Sequence, residues 1–207
     1  MFEFIFSQYK DYEFIDMILE ITAVIFGIIS VLLAKKNNIW VYPTGLVSTI
    51  IYTYLLLKYT LLGDMLINVY YTIMSIYGWY LWTRKKESSD EYPISETTSK
   101  ERKKAFTIFL FTMLFVVLVY VFFNKFDSWT SYVDTFTTGI FFVGMWLMAK
   151  RKIENWIMWI IGDFISIPLY FHKGLWFTTF QFIIFTFIAY LGYKEWKIYL
   201  QQETSSK

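Results

Sequence analysis

The chain has 207 residues, of which 57% are hydrophobic and 17% are charged, and its formal net charge is +2. A soluble domain carries about a quarter charged residues, so this composition excludes an ordinary soluble protein and indicates an integral membrane protein. With no cysteine and one histidine, disulfides, thiolate catalysis and cysteine-based metal sites are excluded, and the small net charge predicts no nucleic-acid partner.

Seven apolar segments are long enough to cross a bilayer as helices, a length of about 17–25 residues. In chain order they lie near 16–34, 40–57, 64–83, 105–123, 133–149, 155–172 and 176–193. The N-terminus has no basic segment and predicts no cleavable signal peptide, so the first helix is expected to be an uncleaved anchor. The sequence therefore predicts an all-α integral membrane protein with seven transmembrane helices.

The connections between these helices differ in length and charge. Residues 84–104 are charged and rich in serine and threonine, and they predict a mobile loop, whereas every other connection is short. Connections on the side of the N-terminus carry four lysines and arginines, and those on the other side carry fifteen. Because cytoplasmic loops are enriched in these residues, we expect the N-terminus outside and the C-terminus in the cytoplasm.

The first three helices and the last three show signs of an internal repeat. The third and seventh helices align without a gap over 61–82 and 175–196, with Trp82 opposite Trp196. A repeat of helical units at a fixed spacing indicates a duplicated architecture.

Two further correspondences follow the same order along the chain. The offset of the third and seventh helices places Glu20 in the first helix opposite Asp134 in the fifth. The second and sixth helices align at a slightly different offset, with Gly45 opposite Gly162. We therefore interpret helices one to three and five to seven as two copies.

Three helices reverse the side on which the chain emerges, so two copies in the same orientation need one inverting helix between them. The fourth helix is plainly apolar, has no counterpart and fits this role. The prediction is a single transmembrane domain in a 3+1+3 parallel-repeat bundle, with repeat one at about 16–83, the inverting helix at about 105–123 and repeat two at about 133–193. Transporters of this kind hold their substrate between the repeats near the midplane of the bilayer.

The stretch "NWIMWIIGD" combines two tryptophans with a carboxylate inside an apolar helix. Trp156, Trp159 and Asp163 follow i, i+3, i+7 spacing and share one helix face. Indole rings attract cations and stack on flat rings, and a carboxylate neutralises positive charge, so this face predicts a site for an aromatic cation. Alternatively, Trp156 is an interfacial anchor and Asp163 pairs with a polar group on another helix.

Two amides lie at nearly equivalent positions in the two copies. Asn68 in the third helix and Gln181 in the seventh are candidates to hydrogen-bond a sugar hydroxyl or a neighbouring helix. Glu20 and Asp134 suit interhelical hydrogen bonding or gating.

Pro43 and Pro168 lie in the second helix of each copy. A proline inside a helix frees backbone carbonyls and permits bending, so each residue is interpreted as a hinge or as an inert kink.

The stretches "ENWIMWIIGDFISIPLY" and "NVYYTIMSIYGWYLW" resemble the PnuC family of bacterial vitamin transporters, chiefly for nicotinamide riboside, over nearly all of residues 16–196. The resemblance implies a SWEET-like fold, a homotrimer with a pore in each protomer, and facilitated diffusion with cytoplasmic phosphorylation trapping the substrate. It places the W-x-x-W motif of the family on Trp156 and Trp159. Asn68 stands where the family often has Gln, and Asp163 where some members have Asn. Thiamine, carried by a related branch, therefore stays open as an alternative substrate.

Other classes of membrane protein fit the sequence less well. A seven-helix receptor would also place its N-terminus outside, but it needs neither a three-helix duplication nor an inverting helix. The chain has no phosphate-binding loop, zinc-protease motif or nucleophile elbow. An enzyme and a cofactor are therefore not expected, and the expected partners are a small vitamin cation and the lipids of the bacterial inner membrane.

Overall fold

The computed structural model describes residues 13–59, 62–84, 93–124, 126, 128–172 and 176–205. These residues confirm the prediction of seven helices, and among them two residues form an isolated bridge but none forms a strand. The helices are α1 (Phe14–Lys35), α2 (Val41–Lys58), α3 (Leu62–Trp82), α4 (Ser99–Phe122), α5 (Trp129–Ala149), α6 (Asn155–His172) and α7 (Trp176–Ser205). In the described part of the chain, α1, α4 and α5 are long and apolar enough to cross a membrane by their own composition.

Helix α4 begins at Ser99, well before the start near residue 105 that the sequence indicated. The reason is a capping box: the Thr98 hydroxyl accepts from the backbone N–H of Glu101, and the Glu101 carboxylate accepts from the backbone N–H of Thr98. Just before the cap, Ser95 and Thr97 form hydrogen bonds with the turn between α5 and α6. The prediction of a mobile loop is therefore wrong for residues 93–104, and residues 85–92 lie outside the described part.

The two prolines of the second helices occupy different positions. Pro43 lies in the first turn of α2, where a backbone N–H has no partner within the helix. Pro168 lies inside α6 and removes a hydrogen bond from the helix interior. Bending by loss of a backbone bond is therefore available at Pro168, whereas Pro43 is compatible with a straight helix.

Helices packed against each other show the same pattern in both halves of the chain. Helix α2 packs against α1 and α3, and α6 packs against α5 and α7. The halves meet where α1 contacts α7 and where α3 contacts α5. Helix α4 packs mainly on α5, so it lies beside the second half.

Backbone geometry recurs at a spacing of 114 residues at the ends of α1 and α5. Asn37 and Arg151, which are 114 residues apart, have positive φ angles of 54° and 52°. Their backbone N–H groups donate to Ala34 and Met148, each at 2.9 Å. A left-handed residue after the last turn satisfies the final carbonyls of a helix, so both turns end their helix in the same way.

The starts of α2 and α6 keep this spacing. The N–H of Val41 donates to the carbonyl of Asn38 at 3.1 Å, and the N–H of Asn155 donates to that of Lys152 at 3.1 Å. The shifted offset that the sequence indicated for these two helices is therefore wrong at their starts. The sequence alignment rested on matching Gly45 with Gly162, whereas the backbone hydrogen bonds match the helix starts at a spacing of 114 residues.

The two matched turns lie together at one end of the bundle, which we call the basic end. It consists of residues 34–42, 82–84, 93–104, 148–156 and 194–197. Arg151 donates to the side chain of Asn37 at 2.8 Å, and Lys35 pairs with Glu195 at 3.7 Å. At the other end, Asp16 pairs with Lys58 at 2.8 Å.

Close packing between α5 and α6 depends on Gly162. A Cβ atom built there would lie 2.8 Å from Cδ1 of Phe141, whereas one built at Gly27 in α1 meets the Ser48 hydroxyl at 3.1 Å. Overpacking costs about 1–3 kcal/mol, and a hydroxyl at the end of a side chain can rotate away.

We expect Gly162→Ala to lower the melting temperature of the purified protein, and Gly27→Ala to leave it unchanged or raise it. Both variants gain the same helix propensity, so a thermal unfolding series in one detergent isolates the packing effect. Equal melting temperatures for the two variants would contradict tight α5–α6 packing.

Candidate functional site

One face of α6 carries the chemistry that the sequence indicated and extends it. Trp159, Asp163, Ser166 and Tyr170 follow spacings of four, three and four residues, which places them along one helix face. Asp163 is 4% exposed and Ser166 is 1% exposed. The Ser166 hydroxyl has no hydrogen-bond partner among the described residues, so two buried polar groups lie one turn apart on this face.

A row of stacked rings lies beside this face and involves α5, α6 and α7. The rings of Trp159 and Phe141 have centroids 5.6 Å apart at 27°, and Phe141 stacks on Phe182 at 6.2 Å and 13°. Phe182 stacks in turn on Tyr170 at 5.1 Å and 24°. We call these four residues the aromatic row. Its near-parallel planes offer the geometry that a flat ring needs for stacking.

Helix α3 contributes tyrosines from the first half. Tyr70 stacks on Phe142 at 3.8 Å and 4°, and its hydroxyl donates to the Phe142 carbonyl at 2.9 Å. Tyr71 lies within electrostatic range of both Asp163 and Tyr170. Asn68 is half-buried one turn before Tyr71 on the same side of α3, which places the predicted amide toward this region.

The Asp163 carboxylate is buried without a compensating group. Among the described residues, none donates a hydrogen bond to it and none forms an ion pair with it. Asp16, by comparison, is fully buried and accepts from Lys58 at 2.8 Å and from Tyr59 at 2.5 Å. Ionising a buried carboxyl group that has no partner costs several kcal/mol, so the surroundings of Asp163 favour a cationic ligand that pairs with the ionised form.

Trp156 lies apart from the aromatic row. It is 1% exposed, meets Trp196 edge to face at 5.6 Å and packs against Gly192 at the basic end. An interfacial anchor facing lipid does not fit this burial. The indole is therefore packed inside the bundle against α7, one turn before Trp159 along α6.

The remaining predicted residues occupy less defined surroundings. Gln181 is half-buried and directly precedes Phe182 of the aromatic row. Glu20 and Asp134 are half-buried in the early turns of α1 and α5, away from the basic end. Their roles stay predictions. No group of three side chains suited to hold a metal ion occurs among the described residues.

Several residues of the site were missed by sequence reasoning. Phe141, Phe182 and Tyr170 were not singled out because 22 phenylalanines and 17 tyrosines give no contrast in the sequence. Ser166 did have a signal, since it lies three residues after Asp163 on the same helix face.

The two halves contribute unequally to the site. At the spacing of 114 residues, Trp159 corresponds to Gly45, and Asp163 to Thr49. A Cβ built on Gly45 would lie 3.0 Å from the Ser30 hydroxyl, and one built on Gly144 would lie 3.4 Å from the Trp159 ring. In the first half, Gly45 of α2 therefore faces the small residue Ser30 of α1. In the second half, the indole of Trp159 on α6 faces Gly144 of α5 instead.

Seven apolar helices packed side by side are the architecture of an integral membrane protein, and the proteins that this chain matches are transporters rather than enzymes. The family model described as nicotinamide mononucleotide transporter matches residues 17–198, and the chain belongs to this family, which includes the PnuC proteins. The resemblance to the PnuC family is thereby confirmed.

Individual relatives share the family at low identity. The chain is 24% identical to the nicotinamide riboside transporter PnuC of Escherichia coli, over 86% of this chain and 84% of that protein. It is 23% identical to the riboflavin/roseoflavin transporter RibM of Streptomyces davaonensis, over 83% and 81%. A crystal structure of the vitamin B3 transporter PnuC matches with a TM-score of 0.68 at 20% identity, covering 96% of this chain and 86% of that one, which shows the fold.

We expect Asp163→Asn to leave the melting temperature of the ligand-free protein unchanged or to raise it, because asparagine has nearly the same shape and Asp163 has no hydrogen bond or ion pair to lose among the described residues. Asp16→Asn serves as the control and should lower the melting temperature, because it breaks an ion pair. Thermal unfolding without substrate measures both. A loss of stability in Asp163→Asn equal to that in Asp16→Asn would mean that Asp163 has a structural partner.

Proposed function

We propose that this protein carries nicotinamide riboside across the bacterial inner membrane by facilitated diffusion. The observation that carries the proposal is the buried carboxylate of Asp163, without a partner among the described residues, beside the stacked aromatic row. Nicotinamide riboside is a flat pyridinium cation joined to a ribose. Its positive charge pairs with the Asp163 carboxylate, and its ring stacks on the rings of the aromatic row.

Each part of the substrate has a candidate partner. The pyridinium ring stacks on Trp159 and Phe141, where a cation over a ring gains about 0.5–2 kcal/mol. The carboxylate of Asp163 neutralises the positive charge. The ribose hydroxyls bond to Ser166, Asn68 and Gln181, whose polar groups lie in otherwise apolar helices. Trp156 bounds the site on the side of the basic end, next to the bound pyridinium ring.

We further propose that the fold is a 3+1+3 parallel repeat of the SWEET kind, with α4 as the inverting helix and the substrate between the halves. Matched helix ends 114 residues apart and matched packing partners support it. The basic end faces the cytoplasm because it carries most of the lysines and arginines, which places the N-terminus outside. Glu20 and Asp134 lie toward the outer end as gating or interhelical groups, and Pro168 serves as a hinge. A homotrimer is proposed from the family resemblance.

Riboflavin and thiamine are the competing substrates. The relative named as a riboflavin/roseoflavin transporter supports a flat heteroaromatic substrate of another kind. Riboflavin is neutral at neutral pH, so it leaves the Asp163 charge unpaired, whereas thiamine is a cation and matches it. Competition of unlabelled thiamine and riboflavin against labelled nicotinamide riboside in proteoliposomes discriminates between the three vitamins.

We expect Asp163→Asn to weaken binding of nicotinamide riboside about tenfold or more, which corresponds to about 1.4 kcal/mol. The neutral 1,4-dihydro form of the substrate should lose little, because it has no charge to pair. Titration calorimetry with both compounds makes the comparison. Equal losses for the two compounds would show that Asp163 does not sense charge, and no binding of either would reject the vitamin assignment.

We expect uptake into proteoliposomes to stop when the inside and outside concentrations of nicotinamide riboside are equal, because a facilitator only equilibrates its substrate. Enclosing a nicotinamide riboside kinase with ATP should raise accumulation far above that level, since the phosphorylated product is no longer a substrate. Accumulation above equilibrium without the kinase, driven by an imposed proton or sodium gradient, would contradict facilitated diffusion.

A further inference from the structure

Four aromatic side chains, which we call the aromatic quartet, fill the centre of the basic end. They are Tyr42, Trp82, Trp156 and Trp196. Tyr42 meets Trp82 edge to face at 5.1 Å and 90°, and Trp156 meets Trp196 in the same way at 5.6 Å and 88°. The Trp82 and Trp196 rings meet at 5.9 Å. Each half of the chain thus supplies one orthogonal pair, and the two pairs touch.

Two glycines make this arrangement possible. A Cβ on Gly78 would lie 2.6 Å from the Tyr42 hydroxyl oxygen, and a Cβ on Gly192 would lie 2.7 Å from Cη2 of Trp156. The ring of Tyr42 on α2 can therefore pack directly on the backbone of α3, and the ring of Trp156 on α6 can pack in the same way on the backbone of α7. Larger residues at either position would push the rings apart.

Hydrogen bonds from the aromatic quartet cross between the halves. The hydroxyl of Tyr42 on α2 donates to the carbonyl of Met148 on α5 at 3.3 Å, and the indole N–H of Trp196 on α7 donates to the carbonyl of Ala34 on α1 at 2.9 Å. The guanidinium of Arg151 lies over the Trp82 ring at 4.4 Å. Separating the halves at this end breaks both bonds, so the aromatic quartet holds the basic end closed.

The closed arrangement leaves two donors unsatisfied. The indole N–H groups of Trp82 and Trp156 are buried and have no acceptor among the described residues. An unsatisfied buried donor costs about 1–3 kcal/mol, comparable to what a hydrogen bond contributes. The two crossing bonds are thus offset by two unsatisfied donors, and this balance favours a closure that is readily reversed.

The turn between α5 and α6 is anchored to the start of α4. Residues 93–98, which we call the strap, lie along this turn. The backbone N–H of Ser95 donates to the carbonyl of Arg151 at 3.2 Å, and the carbonyl of Ser95 accepts from the N–H of Ile153 at 3.1 Å. The backbone N–H and the hydroxyl of Thr97 both donate to one carboxylate oxygen of Glu154, each at 2.7 Å. Backbone and side-chain bonds together make the second turn continuous with α4.

The turn between α1 and α2 lacks such an anchor in the described part of the chain. Side-chain contacts join it to the second half, from Arg151 to Asn37 and from Lys35 to Glu195, the latter at 3.7 Å. No segment outside its own half forms backbone-to-backbone hydrogen bonds with it among the described residues. The two turns match in backbone geometry but differ in attachment.

We propose that the aromatic quartet is a gate, closed in this structure, which opens when the turn between α1 and α2 moves away from a turn between α5 and α6 that the strap holds on α4. The proposal rests on the proposed transport function for its purpose, since the site lies directly above Trp156. Opening breaks the bonds of Tyr42 and Trp196 and exposes the unsatisfied indoles to water.

Spin-label distances test which turn moves, and the chain has no cysteine to remove. One pair, Lys36→Cys with Arg102→Cys, reports the first turn against α4. A second pair, Ile157→Cys with Arg102→Cys, reports the second turn against α4. All three positions are exposed. Pulsed electron resonance in lipid nanodiscs without substrate reports the distances.

Trp196→Phe keeps an aromatic ring, although a smaller one, and removes the N–H donor, and Tyr42→Phe removes the other crossing bond. In either background we expect the ratio of long to short distances in the Lys36–Arg102 pair to rise about three- to tenfold, the effect of one lost hydrogen bond. The Ile157–Arg102 pair should not change. Trp129→Phe, an exposed tryptophan at the opposite end, is the matched control and should shift neither pair.

Glu154→Ala tests the strap, because it removes the acceptor of both Thr97 bonds. We expect this variant to broaden the Ile157–Arg102 distances, which stay narrow in every other background. An unchanged Lys36–Arg102 pair in both Trp196→Phe and Tyr42→Phe overturns the gate, and movement of the Ile157–Arg102 pair in those backgrounds overturns the fixed second turn. These distances need no substrate, so failure to carry nicotinamide riboside would reject the proposed function and leave the gate standing.

Discussion

A polar group buried in a membrane protein has no water to bond, and it must find its partner within the protein. Asp16 meets that constraint at one carboxylate oxygen with an ion pair and a tyrosine hydroxyl, while its other oxygen has no partner among the described residues. The described exceptions include Asp163 and Ser166 beside the aromatic row and the indoles of Trp82 and Trp156 at the basic end. Such exceptions are expected at the proposed site and at the proposed gate, where a ligand or a conformational change completes the bonding.

The two halves of the chain share a backbone plan but divide the chemistry. At the basic end their contributions are similar, since each provides an edge-to-face pair resting on a glycine. At the site they differ, because Trp159 and Asp163 of the second half correspond to Gly45 and Thr49 of the first. The similar aromatic pairs fit the proposed gate, and the difference between the halves at the site fits the proposed binding of one singly charged molecule.

Sequence patterns were reliable where the signal was local. Helix number followed from apolar length, and the spacing of Trp159 and Asp163 correctly placed them on one face of α6, while their role in binding stays a prediction. The capping box that starts α4 is also a signal within a short segment, at Thr98 and Glu101. The charged composition around it nevertheless indicated a loop. Partners such as Phe141 come from another helix, so spacing along α6 carried no information about them.

The sequence by itself determined that this is a seven-helix membrane protein, because apolar length acts within single helices, and it predicted two related halves and a site on one face of α6. Tertiary structure decided that Trp156 packs at the basic end while Trp159 belongs to the aromatic row, although the two indoles stand one turn apart. Their difference lies in what each meets: Gly192 and Trp196 of α7 in one case, Phe141 of α5 in the other. Packing between helices distant in sequence sets those contacts, and no pattern within one helix encodes them.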